Sequence, residues 1–138
     1  MAKMQLRTII NQAQSMGTKS PLVANVKLAE EIYDSLNRAV FNGMLTRPKI
    51  TVKDYTKRRI WGECEGSSKG SRWGKCYVKV IRVSKNWPNL KKLINVMAHE
   101  MVHQHEWEYH GVMTHGHTTF FTWDEKLRSK GIVLRIIY

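Results

Sequence analysis

Residues 90–110 read LKKLINVMAHEMVHQHEWEYH, and this stretch decides the fold. Leu90, Leu93, Ile94, Met97, Met101 and Val102 recur at the three-to-four-residue spacing of a helix. The expected helix runs from Leu90 to about Glu108, capped by Asn89 and closed by His110-Gly111. Within it stands His99-Glu100-Met101-Val102-His103, an H-E-x-x-H sequence. Histidines four residues apart lie one turn apart on the same helix face, so both imidazoles reach one zinc ion. Glu100 is turned about 100° from His99. That places its carboxylate beside the metal, where it acts as a base toward water. Zinc brings the pKa of bound water to about 7.

A catalytic zinc site needs a third protein ligand and one open position. The spacing H-E-x-x-H-x-x-G-x-x-H is excluded, because Glu106 and Tyr109 stand where Gly and His are required. The remaining candidates are His110, His115, His117, and the later acids Asp124 and Glu125. His110 follows the helix too closely to fold back. A loop over Gly111–Gly116 lets a second helix return against the first, which favours His117, with His115 next. His105 reads as a surface residue or as one that supports a ligand, and Trp107 and Trp123 as helix-packing residues.

Working outward, Thr118–Lys130 reads as a helix closed by Gly131, and Ile132–Tyr138 as a short strand or packed tail. Upstream, Lys49–Tyr55, Arg58–Glu65 and Trp73–Val83 have the composition or alternation of strands. Gly66–Ser71 is a turn cluster, and Asn86–Asn89 interrupts the third strand. A hairpin centred on Gly70 sets Cys64 opposite Cys76, as structural thiols or a labile disulfide. Ser20-Pro21 reads as the start of an amphipathic helix over 21–42, stopped at Asn42-Gly43. Residues 3–16 form a short first helix. No repeat is visible, and 138 residues accommodate one domain, 1–138, with residues 1–19 as an N-terminal extension.

The formal charge is +12, from 23 Lys+Arg against 11 Asp+Glu, and it is unevenly placed. Residues 47–92 hold 14 basic and three acidic side chains. Leu93–Glu125 contains no Lys or Arg and carries all six histidines. The basic strand region is either a solvated face or a surface that follows phosphates. Lys57, Arg58, Arg59, Lys69, Arg72 and Lys75 are its candidate nucleic-acid contacts. Trp61, Trp73, Tyr55 and Tyr77 lie among these charges, as core residues or as platforms for unpaired bases. No base-reading motif is present, so sequence-independent binding is expected. Two cysteines, no signal-peptide core and no long apolar run point to a protein that is neither secreted nor membrane-spanning.

The chain resembles the SprT-like family of zinc metalloproteases, which includes the DNA–protein crosslink protease Spartan. The resemblance spans about residues 22–134. It rests on Val40-Phe41-Asn42 with Leu45 and Pro48, on Trp61-Gly62-Glu63-Cys64, on the H-E-x-x-H segment, and on Gly116-His117 followed by Phe121, Leu127 and Gly131. One departure is Thr118-Thr119, where the family often has Gly-Pro after its third histidine. The resemblance implies His99, His103 and His117 as ligands of one Zn2+ per chain and Glu100 as general base.

The expected architecture is a compact α+β zincin-like domain, with a sheet of about three strands packed against three to four helices and the zinc site within 99–117. The expected activity is hydrolysis of proteins bound or crosslinked to DNA, single-stranded or junction-like, by a monomer. The compartment is the cytoplasm of a bacterium or virus-infected host, or the nucleus of a eukaryote. The alternatives are a DNA-binding module with a structural or vestigial zinc, and a basic interaction or inhibitor protein without protease activity.

Overall fold

A computed structural model describes residues 5–55, 60–68, 76–115 and 118–135. The elements are α1 (Leu6–Met16), β1 (Leu22–Val23), α2 (Val26–Ala39), β2 (Lys49–Lys53), β3 (Gly62–Gly66), β4 (Val78–Ser84), β5 (Asn86–Trp87), α3 (Leu90–His110), a 3-10 turn (Thr118–Phe121) and α4 (Asp124–Ser129). The fold is α+β, as expected. Its main sheet has three strands in the order β2-β4-β3, with β2 parallel and β3 antiparallel to β4.

The pairing Ile50↔Ile81↔Cys64 and Val52↔Val83↔Gly62 sets one face of the sheet toward the helices. The opposite face carries Thr51, Arg82 and Glu63 in one row and Lys49, Val80 and Glu65 in the next. Helix α3 lies in the middle of the molecule, against β3 and β4 on one side and α1 and α2 on the other. It is therefore buried around most of its circumference between Leu93 and Glu106, rather than along a single apolar stripe. Leu93, Ile94, Met97 and Met101 join Ile9, Ile32, Tyr33, Leu36, Phe41, Ile81, Phe120 and Leu127 in the fully buried core.

Strand β3 approaches α3 closely because its helix-facing residues are small. A Cβ on Gly62 would lie 3.0 Å from Val96 Cγ1 and 3.1 Å from Glu100 Oε2. One on Gly66 would lie 2.6 Å from Trp107 Nε1. Gly66→Ala is expected to destabilise the protein by about 1–3 kcal/mol, the usual cost of overpacking. Equilibrium denaturation checks this, and unchanged stability would mean that the β3–α3 contact yields easily.

Several boundaries differ from the sequence reading. Helix α2 starts at Val26, because Asn25 caps it by accepting from the Leu28 N–H. Pro21 does not open that helix: Leu22-Val23 pairs with Asn86-Trp87, and the Ser20 hydroxyl donates back to the Met16 carbonyl at the end of α1. Asn86-Trp87 is thus a short strand and not merely an interruption. Asn89 caps α3 as expected, accepting from the Lys92 N–H. Gly111, with φ 67°, closes α3 in the left-handed conformation.

The helix expected over 118–130 is divided into the 3-10 turn and α4. Two β-branched residues, Thr118-Thr119, propagate helix poorly, and Thr119 and Phe120 are held by tertiary contacts instead. Gly131 ends α4 at φ 81°. Residues 132–135 form a packed tail, with Ile132 and Leu134 buried, and not a strand. Cys64 pairs in register with Ile81, so it does not face Cys76, and both thiols are free. Gly66 pairs with Val78, a register offset from the one that equal spacing about Gly70 gives, which is why that spacing misleads. No helix among the described residues is long and apolar enough to cross a membrane.

Candidate metal centre

His99 and His103 project from one face of α3, as their four-residue spacing requires. The loop after Gly111 brings His115 to meet them. His115 Nε2 lies 3.1 Å from His99 Nε2 and 2.9 Å from His103 Nε2. The three candidate ligand atoms all lie within 4.8 Å of one another. His99 and His103 are buried and His115 is exposed, so the cluster sits at the protein's edge.

The outer nitrogens explain which way the lone pairs point. His99 Nδ1 lies 2.7 Å from the Arg135 carbonyl, and His103 Nδ1 lies 3.0 Å from Glu106 Oε1. Both partners are acceptors, so both Nδ1 atoms carry the proton. The Nε2 lone pairs of His99 and His103 therefore face the same His115 nitrogen, which can donate to only one of them. A cation satisfies all three. With Zn–N bonds of 2.0–2.1 Å, tetrahedral geometry sets ligand nitrogens about 3.3 Å apart. The separations of 2.9 and 3.1 Å from His115 lie close to that value.

Burial, more than any neighbour, holds the histidines neutral. It pushes the pKa of His99 down to about 4 and that of His103 down to about 3. Neutral imidazole is the form that binds metal. Phe120 packs against all three rings at centroid distances of 5.2–5.3 Å.

Glu100 is buried beside this cluster on α3, with Oε2 facing the bare Cα of Gly62. Burial, followed by the nearby Glu63 carboxylate, raises its pKa to about 8. Such a group accepts a proton more readily than an ordinary carboxylate does.

Of the other ligand candidates, Asp124 bonds Arg128 at 2.8 Å, Glu125 is exposed, and His110 lies near His105 at the end of α3. None of them joins the metal-capable group among the described residues. His117, the ligand favoured from sequence, lies outside the described residues. His115, the second choice, lies at the site.

His105 is not a surface residue. It is buried, stacked on Tyr109 and edge-on to Trp123, and burial pushes its pKa down to about 4. It faces away from the cluster because it lies two residues beyond His103. Sequence reasoning missed Glu106 and Thr119, which support His103. It also missed Gln104, which joins the Tyr33 hydroxyl to the Thr46 carbonyl.

All six candidate nucleic-acid residues, Lys57, Arg58, Arg59, Lys69, Arg72 and Lys75, lie outside the described residues. Two other cations of the basic region are paired. Arg47 bonds Asp34 and Glu30, and Arg82 bonds Glu65 and Glu63. Lys49, Lys53, Lys79 and Lys85 are exposed. Trp61 is a packing residue, lying against Trp87 with the Lys92 ammonium 3.7 Å from its ring centre, and Tyr55 is buried.

The SprT-like family model matches residues 29–133, which span the three-stranded sheet, α3 and the returning segment. No curated protein and no solved structure gives a significant match. A match over more than half the sequence, ending beyond the third histidine, leaves one assignment: this chain belongs to the SprT-like family.

Proposed function

We propose that the protein is a zinc-dependent peptidase that cleaves proteins bound or crosslinked to DNA. The observation that carries the reading is the convergence of three imidazole nitrogens next to a buried carboxylate on the same helix. Zinc supplies Lewis acidity, polarising a carbonyl and making water acidic enough to lose a proton near neutral pH. His99, His103 and His115 would hold the ion. Glu100 takes the proton from water and returns it to the leaving amine. Family membership supports this reading, as does the retained H-E-x-x-H glutamate, which a purely structural metal site does not require.

The DNA component is supported by the distribution of charge. Residues 47–92 carry 14 basic and three acidic side chains, and the segment bearing the histidines carries none of the basic ones until Lys126. A basic surface holds the phosphate backbone and raises the local concentration of attached protein near the site.

The test is cleavage of a protein crosslinked to an oligonucleotide, compared with the same protein free. Faster cleavage of the crosslinked form is expected. Binding to single-stranded DNA should weaken steeply with salt, and Arg58→Glu with Arg59→Glu should lower the log–log salt slope by about 0.7 for each phosphate no longer neutralised. Salt-insensitive binding, or equal cleavage of both substrates, would remove DNA from the function.

A further inference from the structure

Glu106 is fully buried, and both of its carboxylate oxygens are engaged. Oε1 lies 3.0 Å from His103 Nδ1, and Oε2 accepts from the Thr119 hydroxyl at 2.8 Å. No Lys or Arg occurs between Leu93 and Glu125, so that segment offers the carboxylate no permanent cation. A carboxylate is costly to bury unless hydrogen bonds replace its water. Here the bonds come from the two segments that build the metal centre. His103 belongs to α3, and Thr119 follows His115 by four residues in the 3-10 turn.

We propose that Glu106 is a positioning residue for the metal centre, acting through His103 and through a latch to Thr119. Its first effect is on His103. The carboxylate fixes the proton on Nδ1, aims the Nε2 lone pair at the metal position and makes the imidazole a stronger donor. The equivalent partner of His99 is a neutral carbonyl, that of Arg135, so the two helix ligands are not equally activated. Its second effect is on the loop. The Thr119 bond ties the segment carrying His115 to the helix carrying His103, while Phe120 fills the space beneath the three rings. Assembly of the third ligand and orientation of the second are thereby coupled through one side chain.

The inference rests on the reading of the histidine cluster as a metal site, and the experiment separates the two. Zinc affinity is measured on the full chain by competition with a chromogenic chelator, alongside the melting temperature of the metal-free protein. Glu106→Gln keeps the size and an acceptor oxygen but removes the charge. Its zinc affinity is expected to fall about 10–100-fold, the range found for partners of metal-bound histidines. Its metal-free melting temperature should be no lower than that of the wild type.

Thr119→Val should weaken zinc binding in the same direction but less. The double variant should lose less than the sum of the two, because they share one network. A merely structural role gives the reverse pattern, a lower metal-free melting temperature with unchanged affinity, and would overturn the proposal. So would wild-type affinity in both single variants. A wild-type protein that takes up no zinc would remove the metal reading itself and this inference with it.

Discussion

Glu100→Gln abolishes most peptide hydrolysis, lowering turnover by about 10²–10⁴-fold, the usual contribution of a positioned general base. The side chain is buried against Gly62 and has its pKa raised to about 8, mainly by burial. Glutamine has the same shape but cannot accept and return a proton. The loss therefore appears in kcat, with KM little changed, because the substitution removes a transition-state interaction and leaves the binding surface intact. Zinc content stays at that of the wild type, since Glu100 is not part of the histidine cluster. The fold also survives, because the amide brings no charge into the buried site. Initial rates on a crosslinked substrate, with metal analysis of the same samples, check this result. Persistent cleavage by Glu100→Gln would mean that another group serves as the base.

His115→Ala is expected to remove bound zinc, as His99→Ala does. The expectation rests on geometry: His115 Nε2 stands 2.9 and 3.1 Å from the two helix histidines, and all three ligand atoms fit around one ion. The readouts are zinc per chain after desalting and the rise in melting temperature on adding zinc. A ligand present at 100 times its dissociation constant stabilises the native state by about 2.7 kcal/mol. That stabilisation should disappear in His115→Ala and in His99→Ala, and His117→Ala, measured beside them, tests the ligand that the family resemblance implies. Wild-type zinc binding in His115→Ala, with metal lost in His117→Ala, would sink this expectation and favour His117 as the third ligand.

The third ligand shows where sequence reading stops. Two histidines on a helix are bound by a fixed period, so helical geometry alone pairs His99 with His103. The third comes from a loop, where no period relates sequence spacing to position. Sequence alone therefore left His115 and His117 both open, and the return of residues 111–115 is what brings His115 to the helix pair. The Thr119 and Phe120 contacts decide that return, by fixing the segment after the loop against α3.

His105 failed for a related reason. Composition alone makes a histidine between two ligand-like residues look exposed or supportive. Its burial follows from α3 being packed on nearly all sides, which depends on where the sheet, α1, α2 and the 3-10 turn lie.

Local chemistry was legible wherever the determinant lies within a few residues. Asn89 caps α3 because its side chain reaches the Lys92 N–H, and Gly111 and Gly131 end helices because they adopt positive φ. The alternation of Lys49–Lys53 and the β-branched run of β4 specified strands in the same way. Ser20-Pro21 also looked like a helix start. It lost to a tertiary effect, the pairing of Leu22-Val23 with Asn86-Trp87 more than sixty residues away.

The amino-acid sequence by itself determined the α+β class, the central helix, its two histidines with Glu100 between them, and the concentration of positive charge in residues 47–92. These are consequences of helical and strand periods and of composition, which act over short distances along the chain. Only the tertiary structure brings His115 within 3.1 Å of both helix histidines, lets Gly62 and Gly66 admit β3 against α3, and joins His103 to Thr119 through Glu106. Those features arise where segments distant in sequence pack together, and their distances are set by the filling of one core.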